Sequence, residues 1–144
     1  MNTINQLKLI QADAQVYFMK LHNIHWNVTG MMFQPIHALT ETLYNEFAIV
    51  FDDLAERQLQ LGQKPVLTMS NALEISRIKE TNESSFTSTQ ALELILKDNQ
   101  YFLEAFRELS STAGDENDAT TVAYADEKVA WLEKENWQLR AMLE

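Results

Sequence analysis

Residues 21–47 read LHNIHWNVTGMMFQPIHALTETLYNEF, a stretch that holds the end of one helical pattern, a turn, and the start of the next. Upstream, Leu7, Ile10, Ala14, Tyr17, Leu21, Ile24 and Val28 recur three and four residues apart. That spacing lays one apolar stripe along a helix spanning roughly residues 3–28. Downstream, Ile36, Leu39, Leu43, Phe47, Val50 and Leu54 repeat the period and carry a second helix over roughly residues 34–61. Gly30 supplies the left-handed backbone that a helix end favours, and Pro35 suits a first helical turn, where its missing N–H leaves nothing unsatisfied. The two helices are expected to form an antiparallel hairpin.

Only three glycines and two prolines punctuate the 144 residues, so the rest of the chain also reads as long helices. Gly62 and Gly114, like Gly30, are expected just past helix ends. Between Gly62 and Thr87 runs a polar connection with Pro65, in which Asn71 and Glu74 form an N-cap-like pair able to start one or two helical turns. Thr87 and Gln90 read as a capping box opening the third long helix, with Leu92, Leu94, Ile95, Phe102, Leu103, Phe106 and Leu109 on its apolar positions and an end before Gly114. After the acidic loop GDENDA, a fourth helix runs from about Thr120 nearly to the last residue, carrying Val122, Ala125, Val129, Leu132, Trp137 and Met142. The expected fold class is all-α: a four-helix bundle of ferritin-like connectivity, with a short helix in the long crossover, forming a single domain over residues 1–144.

Composition narrows the function. Hydrophobic residues make up 46% of the chain, too many for a disordered segment. Twenty-one acids against eleven bases leave a net charge of −10, which opposes the phosphate contacts that sequence-independent DNA binding needs and favours cations as guests. Without cysteine there is neither a disulfide framework nor a thiolate metal site. No basic segment precedes an unbroken apolar run at the N-terminus, and no stretch reaches the roughly 18 apolar residues of a membrane span, so a cytoplasmic location is expected.

All three histidines, His22, His25 and His37, fall around the first turn. In an antiparallel hairpin His25 and His37 stand at similar heights, and Glu41 lies one turn beyond His37 on the same face. Asp52 and Glu56 form another one-turn pair, but His37 and Asp52 are about 22 Å apart along one helix at 1.5 Å per residue, too far to share an ion within a chain. If two copies of this helix packed antiparallel about a two-fold axis between residues 46 and 47, His37 would face Glu56 and Glu41 would face Asp52, since both pairs of numbers sum to 93. At 100° per residue these four positions occupy one flank of the helix. The reading is therefore two metal sites per dimer, each taking His25, His37 and Glu41 from one chain and Asp52 and Glu56 from the other. Imidazole and carboxylate without sulfur suit iron or another first-row divalent ion. His22 lies off this site and is expected to be a structural hydrogen-bonder.

The blocks LHNIHWNVTG, PIH followed by Glu41, and FDDLAERQLQLGQKP resemble the Dps family of mini-ferritins, as do QADAQVYFMK and VAYADEKVAWLEK, with a likeness to its neutrophil-activating branch. The resemblance implies ferroxidase ligands at His25, His37, Asp52 and Glu56, with Glu41 assisting a second metal ion and Trp26 matching a site-adjacent tryptophan. It implies a hollow homododecamer that binds two Fe(II) per inter-subunit site, oxidises them preferentially with hydrogen peroxide and stores the ferric mineral, with zinc as a possible substitute ion. Asp115, Glu116, Asp118, Asp126 and Glu127 would then partly line pores and cavity. The Lys-rich N-terminal tail of DNA-condensing relatives is missing, so DNA binding is not expected. The alternative is a non-catalytic assembly, either a DNA-binding particle or a host-interacting surface module. An oxygenase with its di-iron site inside one bundle is disfavoured because no Glu-x-x-His occurs.

Overall fold

In the computed structural model, which describes residues 1–144, the chain forms α1 (Thr3–Asn27), α2 (Phe33–Gln60), α3 (Met69–Ile75), α4 (Ser88–Asp115) and α5 (Ala119–Leu143). The long helices α1, α2, α4 and α5 make the bundle, and the short α3 sits in the crossover. Side chains take up the first N–H groups of four helices: Asn2 caps α1, Thr68 caps α3, Thr87 caps α4 and Asp118 caps α5. At α4 the capping box is complete, with Thr87 and Gln90 each bonding the other's backbone N–H. The crossover helix starts three residues, nearly one turn, earlier than its sequence suggests. Thr68 rather than Asn71 is the cap, and the Asn71 N–H is the donor that Thr68 accepts from at 3.1 Å.

The helix ends show which glycines matter. At Gly62, φ is 79°, and the Gly62 and Gln63 N–H groups close back on the carbonyls of Leu59 and Gln58, which satisfies the last turn of α2. Gly114 differs from the expectation, because α4 runs through it to Asp115 and the left-handed position falls on Asn117, with φ 60°. Asn117 and Asp118 N–H groups bond the carbonyls of Gly114 and Ala113, the same closing pattern built on an asparagine, which tolerates this backbone region through its short polar side chain. Gly30 also has positive φ, but α1 has already ended at Asn27. Val28 and Thr29 run extended beside Phe86, joined by Thr29 N–H to Phe86 O (2.9 Å) and Phe86 N–H to Asn27 O (3.1 Å). This short pairing fastens the end of the crossover to the hairpin turn.

The apolar stripes of all four long helices meet, together with Val28, Ile78 and Phe86 from the connections, in one core of 24 buried residues that includes Tyr17, Phe47, Phe102 and Phe106. Fully burying each such side chain stabilises the fold by about 1.5–3 kcal/mol. Tyr17 fits because its hydroxyl donates to Asn99 Oδ1 at 2.7 Å. On α5 the core positions are Ala125, Leu132, Asn136 and Leu139, whereas Trp137, one residue out of phase, is 58% exposed. Trp137 therefore does not serve the core as its place in the apolar series suggests.

Buried polar groups fix how the crossover lies on the bundle. Asp13 of α1 is wholly buried and accepts from Ser76 Oγ (2.8 Å), the Arg77 N–H (2.7 Å) and the Tyr101 hydroxyl. Burial pushes its carboxyl above the usual range, against the lowering effect of those donors. Gln11 and Gln58 make a second tie, with Gln11 Oε1 accepting from Gln58 Nε2 (2.9 Å) and the Val66 N–H (3.0 Å). Replacing Asp13 with alanine strands three donors, so Asp13→Ala is expected to lower unfolding stability by about 2–3 kcal/mol in urea melts, with faster amide exchange at Arg77. Asp13→Asn, which keeps an acceptor, should lose markedly less.

Candidate metal centre

His25 lies in the last turn of α1, where backbone carbonyls have no helical partner, and His37 lies near the start of α2. The hairpin brings their rings face to face, with centroids 3.6 Å apart and planes 15° apart. Each Nδ1 is 2.8 Å from the other residue's backbone carbonyl. A carbonyl only accepts, so both Nδ1 atoms carry the hydrogen and both Nε2 lone pairs are left free. Thr40, fully buried on α2, adds a second acceptor: its Oγ1 lies 3.0 Å from His25 Nδ1 while donating to the Ile36 carbonyl at 2.8 Å. This is the arrangement in which a histidine serves as a metal ligand, one ring nitrogen held by a fixed acceptor and the other presented to the ion.

Aromatic rings hold the pair from several sides. Phe33 stacks on His37 at 5.0 Å, and Tyr44 meets His25 edge-on at 5.2 Å. Burial pushes the His25 pKa down, and the neighbouring His37 and His22 push the same way, while its bond to the His37 carbonyl and the charge of Glu41 oppose them. The imidazole is therefore held neutral, as a ligand must be. His22 is set as expected of a hydrogen-bonder, its Nδ1 donating to the Phe18 carbonyl at 2.7 Å while its ring stacks on Tyr44. Trp26, next to His25, is 58% exposed.

The carboxylates divide into two groups. Glu41 is exposed on α2 one turn beyond His37, close enough to His25 to influence its charge. Asp52 and Glu56 are exposed on the same helix, about 22 Å and 28 Å from His37 along the axis at 1.5 Å per residue. Within one chain no three His, Asp or Glu side chains come close enough to hold an ion. None of Glu41, Asp52 and Glu56 is in an ion pair. Arg57, beside Glu56 in sequence, is turned away to Asp118 (2.8 Å), Thr121 (3.0 Å) and Gln60 (3.0 Å). The donor set of imidazole nitrogen and unpaired carboxylate oxygen fits a first-row divalent cation.

Other acids have structural tasks. Glu116 accepts the Thr3 N–H at 3.2 Å, Asp118 caps α5 and holds Arg57, and Asp126 accepts from Ser110 Oγ at 2.6 Å. Thr40, Tyr44 and Phe33 are the contributors that the sequence reading missed. Thr40 and Tyr44 lie three and seven residues after His37, on its helix face, and that spacing was the available signal.

Comparison with known proteins agrees with this architecture. The family model for a ferritin-like domain matches residues 4–144. The chain is 48% identical to the DNA protection during starvation protein of Helicobacter pylori over 143 residues, covering 99% of each. The solved structure of Helicobacter cinaedi CAIP superposes with a TM-score of 0.97 at 46% identity, covering 99% of this chain and 100% of that one. The Dps protein of Vibrio cholerae O1, described as a member of a broad superfamily of ferritin-like diiron-carboxylate proteins, superposes with a TM-score of 0.90 at 30% identity, covering 99% and 87%.

Protonating His25 must place the new proton on Nε2, because Nδ1 already carries one. Its folded-state pKa is lowered, so the stability tied to the neutral ring is present above the ordinary histidine value and is lost as pH falls through the lowered one. Nitrogen-15 NMR is expected to show both His25 and His37 with the hydrogen on Nδ1 at neutral pH, and His25 titrating below the ordinary histidine range. A hydrogen on Nε2 of either ring would contradict the assignment.

Proposed function

The chain belongs to the Dps family of ferritin-like proteins, and on that premise we propose that it is an iron-storing ferroxidase whose sites lie between subunits. The observation that carries this reading is the His25–His37 clamp, which leaves two free Nε2 lone pairs with Glu41 near enough to bear on the charge of His25, while the unpaired Asp52 and Glu56 stand too far along α2 to reach the same ion. A two-fold partner supplies what one chain lacks. Midway along the flank that carries these acids, Ile49 is 52% exposed, an apolar group that an antiparallel α2–α2 contact would cover.

The substrate is ferrous iron, two ions per site, bound by His25, His37 and Glu41 of one subunit and Asp52 and Glu56 of the other. Two ferrous ions give one electron each to hydrogen peroxide; with two protons this yields two ferric ions and two water molecules. Pairing the electrons in this way avoids the single-electron step that liberates hydroxyl radical. The carboxylates favour the harder ferric product, which passes to a mineral stored inside a hollow homododecamer. Zinc would compete for the same ligands. The protein's net charge of −10 directs it toward cations, so protection of the cell runs through iron and peroxide in the cytoplasm rather than through DNA binding.

A complementation experiment tests the shared site. His37→Ala and Asp52→Ala proteins, each assembled alone, are expected to lose the ferric absorbance that follows peroxide addition to anaerobic Fe(II)-loaded protein. Co-assembled in equal amounts, they should regain about one quarter of the unaltered yield, because half of randomly paired dimers are mixed and each mixed dimer has one of its two sites intact. No recovery on mixing would overturn the shared site, and unimpaired single variants would remove the ferroxidase reading.

A further inference from the structure

Among the three carboxylates of the site just described, Glu41 alone has a side-chain hydrogen bond. It is exposed, it has no lysine or arginine partner, and its side chain makes one hydrogen bond, accepting from the Tyr44 hydroxyl at 3.4 Å. Tyr44, in contrast, is held on several sides. Its ring lies flat on His22 with centroids 3.8 Å apart and planes 23° apart, and it meets Phe18 edge-on at 6.0 Å and His25 edge-on at 5.2 Å. His22 is itself immobilised by its bond to the Phe18 carbonyl. A fixed donor therefore stands one helical turn from an exposed carboxylate, on the side where the His25 imidazole lies.

We propose that Tyr44 is a positioning residue: its hydroxyl, fixed by the stack on His22, orients the Glu41 carboxylate for the second metal ion of the site. This rests on the ferroxidase reading above. A glutamate free to rotate loses conformational freedom each time it takes up a metal ion, whereas one already held by a hydrogen bond loses less. At 3.4 Å the bond is long, as hydrogen bonds of a site often are before its ligand is bound. The arrangement also gives His22 a task. Its ring is the platform that keeps the phenol in place.

The test uses cobalt(II) as the probe, titrated into the assembled protein and followed by calorimetry and by visible absorption. The unaltered protein is expected to take two equivalents per chain. Tyr44→Phe keeps the ring and its packing but removes the donor, so the second binding step should weaken about 10- to 100-fold, the range seen when an outer partner of a metal ligand is lost, while the first step moves far less. Tyr44→Leu, which also removes the platform contact with His22 and His25, should weaken both steps. If Tyr44→Phe titrates like the unaltered protein, or if its two steps weaken equally, the positioning role is wrong. Absence of cobalt uptake by the unaltered protein would overturn the ferroxidase reading, and this inference with it.

Discussion

Two hydrogen bonds, each from the Nδ1 of one histidine to the backbone carbonyl of the other, set the chemistry available to this protein. They join the end of α1 to the start of α2, and one of them uses the His25 carbonyl, which the end of α1 would otherwise leave unbonded. Because carbonyls accept and never donate, the same bonds fix the tautomer of both rings and free both Nε2 atoms. A contact that reads as a structural staple of the hairpin thus also leaves one unbonded nitrogen on each imidazole, the two atoms that the proposed function assigns to the metal.

The rest of the fold serves to hold that staple still. The Val28–Phe86 pairing fastens the turn to the end of the crossover, and Asn23 donates to the Thr81 and Glu83 carbonyls a turn away. Asp13, at the other half of α1, anchors the crossover through Ser76, Arg77 and Tyr101. Phe33 and Tyr44 pack on the rings themselves. Arg57 is drawn off to Asp118 and Thr121, so the exposed carboxylates of Asp52 and Glu56 have no basic partner within the chain. Free imidazole nitrogen at one end of the monomer and free carboxylates further along the same helix cannot meet within one chain, which is why the proposed function requires a second copy.

Much of this was legible in the residue order. Apolar spacing located the four long helices to within a residue or two, since burying a stripe on one helix face demands a period near 3.6. Thr87 with Gln90 fixed the start of α4, because a capping box is a local interaction between residues three apart. Where a reading failed, the cause was a competing local solution. Asn117 took the left-handed position expected of Gly114, and Thr68 rather than Asn71 capped α3. Trp137 fell out of the core because Asn136 occupies the inward position, and composition alone does not reveal such a one-residue phase shift.

By itself the sequence determined the class of fold, the hairpin that places His25 opposite His37, and the impossibility of His37 and Asp52 meeting on one helix. Each of these follows from helical rise and period, which depend only on separation along the chain. The tertiary structure decided the tautomers, the role of Thr40, the stack on which Tyr44 sits and the disengagement of Arg57 from Glu56. Those depend on which atoms of distant residues come within hydrogen-bond reach, and that is set only when the helices pack.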